Sequence, residues 1–265
     1  MKKRKSLGQN FLVDEFVAQQ IVDAVGLSKE QEILEIGPGK GILTRGLLKG
    51  GRHVTALEID QDLCPSLIEQ FDMYPNFRLI QGDALKWDYN TIGPLFQVVS
   101  NLPYYAATHI LKRLIGYRSH VIDMVVMLQK EVVNRLVAIP CQKDYSSLTV
   151  FLQYHCRIER LFEVKKEHFS PIPKIDSSVV KITPLERPSV EVEDEKEFFK
   201  IVHDAFLHKR KMLKNNLKAW KDFFVKENDK FFLGDIDLNR RGETLSIQEF
   251  ASLVNHIHSQ ILNRS

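Results

Sequence analysis

The tetrapeptide Asn101-Leu102-Pro103-Tyr104 carries residue types that can hold a planar amine. The Asn101 side-chain oxygen accepts hydrogen bonds, and Pro103 favours an extended Leu102 whose carbonyl can be aimed at the same place. Tyr104 offers a flat face on which a base can stack. Two acceptors on the protons of an exocyclic amine favour a nucleophilic nitrogen. In isolation these residues are also typical of a tight turn, but after a buried strand they predict a pocket for a flipped base.

A Gly-rich turn upstream, Glu35-Ile36-Gly37-Pro38-Gly39-Lys40-Gly41, supplies a second kind of site. A dinucleotide fingerprint would need Gly or Ala where Ile42 stands, so the turn better suits a nucleoside without a pyrophosphate. Glu58 can accept the ribose hydroxyls and Asp83 can accept from an adenine amine, although either acid alone is equally typical of a helix cap or turn. Together with the tetrapeptide, they predict methyl transfer from S-adenosylmethionine to the exocyclic nitrogen of a base.

Both motifs follow strands of a predicted α/β domain. Short apolar strands alternate with helices, which predicts a doubly wound, mostly parallel sheet. Beyond Tyr145 a helix near 147–153 precedes an extended stretch at 156–164 and a strand at 178–182, and the last two are expected to pair antiparallel at one edge. The predicted strands are 32–36, 53–58, 77–81, 96–101 and 124–129. The predicted helices before, between and after them are 14–25, 41–50, 62–71, 107–117 and 130–139.

The C-terminal part reads differently. Pro184 and Pro188 bracket a linker, which predicts a catalytic domain at 1–184 with a basic N-terminal arm and a small helical, nucleic-acid-binding domain at 185–265. Ser246 and Glu249 form a capping box before a final helix. A helical spacing there gives one apolar face and one basic face: the apolar face holds Val202, Phe206, Leu213, Leu217 and Trp220, and the basic face holds Lys211, Lys214 and Lys218.

The charge distribution is more informative than the total. The formal net charge of the 265 residues is only +3, but residues 2–5 are all basic and 208–221 contain six Lys or Arg and no acid. Such patches are typical of phosphate contacts, and a solvated helix face is the alternative. The residues predicted to contact the phosphates of a nucleic acid are Lys209, Arg210, Lys211, Lys214 and Lys218.

Composition narrows the class of protein further. Three widely spaced cysteines, Cys64, Cys141 and Cys156, suggest no disulfide framework and fit a reducing cytoplasm. No apolar stretch approaches the roughly 20 residues that span a bilayer. The histidines show no metal-ligand spacing, and methyl transfer from a sulfonium requires no metal. We therefore expect a cytoplasmic enzyme without a metal or a membrane segment, and nothing suggests an obligate dimer, so a monomer is expected.

Motifs spread over essentially the whole chain resemble the KsgA-type ribosomal RNA adenine dimethyltransferases, which have a class I S-adenosylmethionine-dependent methyltransferase fold of the Rossmann-like kind. Leu128-Gln129-Lys130-Glu131-Val132 also matches. Tyr105 departs from the family, which usually has Asn there, and this concerns the fine geometry of the pocket. The five main motifs are Leu7-Gly8-Gln9-Asn10-Phe11-Leu12, Glu35-Ile36-Gly37-Pro38-Gly39, Gly82-Asp83-Ala84, Asn101-Leu102-Pro103-Tyr104 and the stretch from Phe169 to Ser177.

The resemblance implies a reaction and assigns residues to it. Family members transfer four methyl groups to two adjacent adenosines in a hairpin loop near the 3′ end of small-subunit rRNA, late in 30S assembly, and their loss is associated with kasugamycin resistance. The target adenine should be held by Asn101, Leu102, Pro103 and Tyr104, with Phe169 covering its second side. S-adenosylmethionine should be held by Asn10, Leu12, Gly37, Gly39, Glu58, Asp83, Ala84 and Asn101.

Three other functions stay open at this point. Antibiotic-resistance methylases of large-subunit rRNA share the expected site, but often have Ile where this chain has Leu102. A non-catalytic assembly or transcription factor could keep the fold, although the intact acceptor and stacking residues argue for catalysis. An NAD-dependent oxidoreductase is disfavoured by Ile42. The long C-terminal helical region and the Asp176-Ser177 context favour the small-subunit enzyme.

Overall fold

The chain divides into two compact units. The computed structural model describes residues 10–26 and 31–262. The first unit is Met1–Val133 with Arg157–Pro184, and the second is Asn134–Cys156 with Leu185–Ser265. The basic N-terminal arm, and Leu7 to Gln9 of the first motif, lie outside the described residues.

Residues 134–156 are where this division differs from the expected domain boundaries. They were expected in the catalytic domain, but they group with the C-terminal residues, and the last crossing between units falls after Pro184. Tyr145 and Tyr154 are buried in the same apolar cluster as Phe198. A helical pattern in the sequence identifies which face of a segment is buried but not which core buries it, and that explains the difference.

The first unit is built on a seven-stranded sheet of order β4-β3-β2-β5-β6-β9-β7. Strands β2 to β6 run parallel, and β9 is antiparallel to β6, so the predicted mostly parallel α/β fold is confirmed. A separate antiparallel pair joins β1 to β8. The strands are β1 Phe11–Leu12, β2 Glu32–Ile36, β3 His53–Glu58, β4 Phe77–Gln81, β5 Phe96–Asn101, β6 Val121–Gln129, β7 Cys156–Val164, β8 Phe169–Ser170 and β9 Ser177–Pro184.

The helices of the first unit cover this sheet. Asp14 caps α1 as predicted, since its Oδ1 accepts from the backbone N–H groups of Phe16 and Val17 at 2.9 and 3.0 Å. Helix α3 starts two residues later than predicted because residues 61–63 form a turn. The helices are α1 Glu15–Ala24, α2 Ile42–Lys49, α3 Cys64–Phe71, α4 Ala107–Gly116 and α5 Lys130–Val137, and the division between units falls within α5.

The parallel strands end nearly flush. Ile36 lies opposite Leu57 in the β2–β3 pair, and Glu58 lies opposite Gln81 in the β3–β4 pair. The residues that follow β2, β3, β4 and β5 therefore meet at one edge of the sheet, which is where open α/β sheets bind ligands.

The second unit is helical with one small sheet. Three short antiparallel strands stand where a wholly helical region was predicted, joined by a turn with positive φ at Asn228 (45°) and Asp229 (63°). The capping box of the last helix is confirmed, since the Ser246 N–H donates to Glu249 Oε2 at 2.8 Å and the Glu249 N–H to Ser246 Oγ at 3.1 Å. The elements are α6 Ser147–His155, α7 Glu195–Phe206, α8 Leu213–Asn216, α9 Ile247–Leu262, β10 Val225–Glu227, β11 Lys230–Leu233 and β12 Ile236–Asp237.

The basic segment is not one continuous helix, which corrects the predicted basic face. Helix α7 ends at Phe206, turns follow, and α8 begins only at Leu213, so Lys211 lies outside both helices. The Asn216 side chain donates to the carbonyl oxygens of Ala205 and His208 at 2.7 and 3.2 Å, which stabilises this break. Within the described residues, no helix is both long and apolar enough to cross a bilayer.

Candidate active site

A cavity of about 300 Å³ opens at the carboxyl edge of the parallel strands in the first unit. Strand ends β2 to β5 and the short β1 all contribute to its wall. Nearly every residue predicted to hold the cofactor or the base lines this one cavity: Asn10, Leu12, Gly37, Gly39, Glu58, Asp83, Ala84, Asn101, Leu102, Pro103 and Tyr104.

The Gly-rich turn brings bare backbone to the cavity wall. Gly37 and Gly39 have φ of +67° and +59°, a region that side chains with a Cβ rarely adopt. A Cβ on Gly39 would also lie 3.0 Å from Cδ1 of Phe11, another lining residue. The turn therefore requires glycine for both its conformation and the close approach of β1.

Glu58 is fixed at the end of β3. Its side chain is buried, and its carboxylate accepts from the backbone N–H groups of Asp60 and Gly39 at 2.8 and 3.4 Å. Burial raises the pKa of Glu58 and these hydrogen bonds lower it, with burial the larger effect. The carboxylate is thus held in one orientation by the backbone of Asp60 and of the Gly-rich turn.

Glu35 is a lining residue that the sequence analysis did not assign to the site. Its carboxyl is buried, accepts a hydrogen bond from Thr44 Oγ1 at 2.6 Å, and lies close enough to Glu58 to interact with it. Burial raises the pKa of Glu35 to about 7. An acid inside the otherwise apolar run Ile33-Leu34-Glu35-Ile36 was the available signal, because buried carboxyls are uncommon without a specific role.

The loop after β4 is fixed by hydrogen bonds within its own residues and to Arg113. Asp83 Oδ1 accepts from the Leu85 N–H at 2.9 Å, and the buried Tyr89 hydroxyl donates to the Ala84 carbonyl at 2.7 Å. Arg113 adds a guanidinium contact to the Trp87 carbonyl at 2.5 Å. These bonds fix the direction of Asp83 and Ala84 at the cavity.

The tetrapeptide is anchored at each residue. The Asn101 amide donates through Nδ2 to the Asn10 carbonyl at 3.4 Å, which leaves its Oδ1 as an acceptor for a ligand. The Leu102 N–H donates to the Met127 carbonyl at 3.2 Å, and the Pro103 carbonyl accepts from the Ala107 N–H at 3.0 Å. Tyr104 Oη lies 2.9 Å from Ser177 Oγ.

Leu102 was expected to supply the second acceptor through its carbonyl oxygen. Its side chain is buried, and the residue lines the cavity. Among the residues that the structure describes, none donates a hydrogen bond to the Leu102 carbonyl oxygen. The acceptor role of this carbonyl therefore stays a prediction, and the oxygen has no partner among these residues that would oppose it.

Phe169 is placed differently from its expected role. Its side chain is 2% exposed and lies in the apolar core with Val164 and Val179, and it does not line the cavity. Its backbone pairs with Leu12 in the β1–β8 pair. In this position Phe169 supports the strand that bears Leu12, and its ring does not line the cavity in which a base was expected.

Several lining residues were not singled out for the site by sequence. Phe11 and Lys40 lie together, with Lys40 Nζ 5.1 Å from the centroid of the Phe11 ring. Exposed apolar or aromatic side chains stand at the ends of three strands, and such residues have no distinctive spacing in the sequence. They are Ile59, Leu85 and Tyr105.

The predicted RNA contacts in the second unit fall into two groups. Lys209 Nζ lies 3.5 Å from Glu243 and also bonds backbone carbonyls, and Lys214 Nζ bonds Asn239 Oδ1 at 2.7 Å. Arg210, Lys211 and Lys218 are exposed. The first group has structural partners in its own unit, and the second is directed to solvent.

No cluster of three His, Cys, Asp or Glu side chains that could hold a metal ion occurs within 10–26 and 31–262. The cavity instead offers carboxylates, a side-chain amide, carbonyls and glycine backbone. This set of groups can bind a polar nucleoside and an amine within one cavity.

Comparisons with known proteins give a consistent result. The family model described as "Ribosomal RNA adenine dimethylase" matches residues 1–259. "Ribosomal RNA small subunit methyltransferase A" of Clostridium botulinum is 44% identical over 97% of this chain and 94% of its own length. The protein of the same name from Pseudomonas syringae pv. tomato is 40% identical over 98% of this chain and 97% of its own length.

Solved structures show the same fold. A dimethyladenosine transferase from Plasmodium falciparum is similar with a TM-score of 0.76 and 25% identity, covering 94% of this chain and 98% of that one. The 23S rRNA methyltransferase ErmE is similar with a TM-score of 0.70 and 23% identity, covering 94% and 100%. At that identity the second likeness shows the fold alone.

Proposed function

The chain belongs to the ribosomal RNA adenine dimethylase family, and we propose that it transfers methyl groups from S-adenosylmethionine to N6 of two adjacent adenosines in the 3′-terminal hairpin loop of small-subunit rRNA. One observation carries the proposal. The Gly-rich turn, the two acids at strand ends and the tetrapeptide line a single cavity. A cofactor and a base can therefore be held in contact without water between them.

The cavity fits S-adenosylmethionine by the chemistry of its groups. The oriented carboxylate of Glu58 suits the ribose hydroxyls, and Asp83 suits the adenine amine. The bare backbone at Gly37 and Gly39 admits close approach, and Asn10, Leu12, Ala84 and Asn101 complete the wall. When bound, S-adenosylmethionine supplies an electrophilic methyl group on a sulfonium centre.

The tetrapeptide prepares the nucleophile. Asn101 Oδ1 and the Leu102 carbonyl accept hydrogen bonds from the two N–H groups of the adenine amine, which draws electron density towards nitrogen and favours a tetrahedral shape. Asn101 is oriented for this by its bond to the Asn10 carbonyl. Tyr104, held by Ser177 Oγ at 2.9 Å, stacks on the base. No protein group needs to form a covalent bond, so positioning supplies the acceleration.

Double methylation places a demand on this pair of acceptors. The monomethylated amine retains one N–H, so one acceptor must give up its hydrogen bond during the second transfer. Asn101 is the residue suited to this, because a side-chain amide can rotate whereas the Leu102 backbone is fixed by its bond to Met127. The pocket therefore accommodates the first methyl group on the Asn101 side.

The substrate is proposed to be rRNA within an immature 30S particle in the cytoplasm, with the enzyme acting as a monomer. The exposed Arg210, Lys211 and Lys218 would contact phosphates, and Lys209 and Lys214 would contribute charge from paired positions. The small-subunit substrate is favoured over large-subunit rRNA by the names of relatives at 40–44% identity. A purely non-catalytic assembly factor would not need the enclosed acceptor pair.

The test is methyl transfer to two purified RNA substrates. The protein is incubated with labelled S-adenosylmethionine and either undermethylated small subunits or protein-free large-subunit rRNA, and digested nucleosides are identified by mass. Dimethyladenosine from the small subunit alone is the expected result. Label in large-subunit rRNA, or tight binding to subunits without any label, would contradict the proposal.

A further inference from the structure

Two consecutive tyrosines at the cavity have different surroundings. Tyr104 is partly buried and its hydroxyl contacts Ser177 Oγ at 2.9 Å. Tyr105 also lines the cavity but is 59% exposed. Within the part of the chain that the structure describes, no residue forms a hydrogen bond with the Tyr105 hydroxyl. The second ring is thus a large amphipathic group at the wall whose hydroxyl has no hydrogen-bond partner among the described residues.

Tyr105 lies near the acidic end of the cavity, which Asp83 and Glu58 line with it. Its pKa is raised first by burial and then by the charges of these two carboxylates, and the effect of both charges agrees with this proximity. The Tyr104 hydroxyl instead contacts Ser177 at the start of β9. The two rings therefore have different neighbours.

Two further apolar side chains stand at the same end. Ile59 directly follows Glu58 and is 46% exposed, and Leu85 is two residues after Asp83 and is 38% exposed. Both line the cavity. An exposed apolar rim beside two oriented acids is suited to a flat, polar-edged ligand, whose edge bonds the acids while its faces contact the rim.

We infer that Tyr105 covers the adenosine part of bound S-adenosylmethionine and is a determinant of cofactor affinity in this chain. The inference rests on the proposed function, because it is Glu58 and Asp83 that assign the adenosine to this end. The ring supplies stacking area on the purine or ribose face. The buried Phe169 cannot supply such a face from its position in the core.

The residue expected here by family resemblance, Asn, has no ring to stack. Replacing Tyr105 by Asn or Ala therefore removes the cover, whereas Phe keeps it. Loss of an aromatic stacking partner weakens nucleobase binding by about tenfold. Because Tyr105 is mostly exposed and the Asn and Ala side chains fit the same backbone, the fold should be unaffected.

The experiment is calorimetric titration of S-adenosylmethionine and of its demethylated product into four full-length variants and the wild type. The variants are Tyr105→Ala, Tyr105→Asn, Tyr105→Phe and Leu95→Ala. Leu95 is 54% exposed and precedes β5, at the opposite edge of the sheet from the cavity, so it is a matched control for loss of an exposed large side chain. Affinity for undermethylated small subunits is measured in parallel.

The expected result is an about tenfold weaker cofactor Kd for Tyr105→Ala and Tyr105→Asn, with Tyr105→Phe and Leu95→Ala close to wild type and subunit affinity unchanged. Equal cofactor affinity in all five proteins would overturn the inference alone. A loss confined to subunit affinity would also overturn it and would move Tyr105 to the base side. A wild type that binds no cofactor would overturn the proposed function together with the inference, and this outcome is distinct from the other two.

Discussion

The cavity in the first unit and the basic segment in the second unit were both predicted from short runs of residues. The structure brings the predicted cavity residues together, but it does not place the predicted basic residues on one helix face. At the cavity, residues far apart in sequence, such as Glu58 and Asn101, line one enclosure. In the basic segment, Lys211 and Lys214 are near neighbours in sequence but do not share a helix.

The difference follows from what positions each set. Strand ends of a parallel sheet are brought together by the sheet, so a residue that follows a recognisable strand has a predictable place. A helix face depends on an unbroken helix, and here turns separate α7 from α8, with the Asn216 side chain bonded to carbonyls at the break. Residues placed by a sheet should therefore tolerate fewer substitutions than residues placed on a broken helical segment.

The largest expected effect is at Asn101. Replacing Asn101 by Ala removes an acceptor for the amine and should lower the methyl-transfer rate on small subunits by about a hundredfold or more, in the range for loss of one oriented polar group in an active site. The melting temperature should change little, since the hydrogen bond from the Asn101 side-chain amide to the Asn10 carbonyl is long at 3.4 Å. Initial rates and thermal melts by circular dichroism check both parts, with Leu95→Ala as the control.

Near-normal turnover of the Asn101→Ala protein would contradict the proposed role of Asn101 in methyl transfer. It would show that residues gathered at the strand ends are close to each other without being functionally required. A collapse of the melting curve would instead make the residue structural, and the rate would then carry no information on catalysis.

A second test of the cavity uses the pH dependence of stability. The pKa of Glu35 is about 7 in the folded protein, above its ordinary 4.5, because burial penalises the charged form. The folded state therefore binds the proton more tightly than the unfolded state. Glu35 should favour folding most below about pH 4.5, and this contribution should fall as pH rises to about 7, by at most about 3 kcal/mol.

The Glu35→Gln variant removes this titration while keeping a polar group near Thr44. Urea unfolding of both proteins between pH 4.5 and 8 gives the difference in their unfolding free energies. The unfolding free energy of the variant, relative to that of the wild type, should increase as pH rises from 4.5 to 7. This difference should then be constant above pH 7. A constant difference across the range would show that the Glu35 pKa is ordinary.

The limits of prediction from sequence have the same physical origin as the difference between residues that the sheet positions and residues of the basic segment. The strands at 32–36, 53–58 and 77–81 agree in their bounds with the structure, since each is a short apolar run between turns. Phe169 was assigned to the pocket by resemblance, whereas its ring lies in the core behind Leu12. A motif gives the residue types near a site, but which side of the backbone faces the ligand depends on the packing of the whole unit.

The same argument covers the second unit. The turn at Asn228 and Asp229 has no glycine to announce its positive φ, so the hairpin of β10 and β11 was not expected. The buried Tyr145 and Tyr154 indicate that 134–156 is packed, but only tertiary contacts show with which core. Local pattern was sufficient for the sheet that positions the cavity and insufficient for the smaller unit.

The basic segment can be tested directly with charge reversal. Changing Arg210, Lys211 and Lys218 to Glu should weaken binding to small subunits by about tenfold and reduce the salt dependence by about 2, since each phosphate contact contributes roughly 0.7–0.9 to the slope. Binding is measured by filter retention from 50 to 200 mM salt. An unchanged slope would remove these three residues from the interface.

A matched variant separates charge from structure within the segment. Lys214 bonds Asn239 at 2.7 Å and its ammonium lies 5.4 Å from the Phe231 ring centroid. Lys214→Glu should therefore lower the melting temperature, while the three exposed substitutions should not. Equal melting of all variants would mean that the paired and the exposed cations are equivalent, and the distinction drawn from their contacts would be wrong.

The smallest expected effect is at the bond between Tyr104 and Ser177, which joins the base pocket to β9. Tyr104→Phe and Ser177→Ala each remove one partner, and the double variant removes both. Ser177 is fully buried whereas Tyr104 is partly exposed, so water can replace the partner of Tyr104 more readily than that of Ser177. Tyr104→Phe should therefore cost more stability than Ser177→Ala, with a coupling of about 1 kcal/mol in urea unfolding.

Activity gives the more telling part of this cycle. If the bond serves only to orient the ring, both single variants and the double variant should lower the methyl-transfer rate by the same small factor, because each frees the same ring. Additive losses would mean that the two hydroxyls act separately on the base or the cofactor. A common loss would instead show that β9 positions the pocket through a hydrogen bond to a residue outside the tetrapeptide motif. The base pocket would then depend on the sheet for its geometry, unlike the exposed cations of the basic segment.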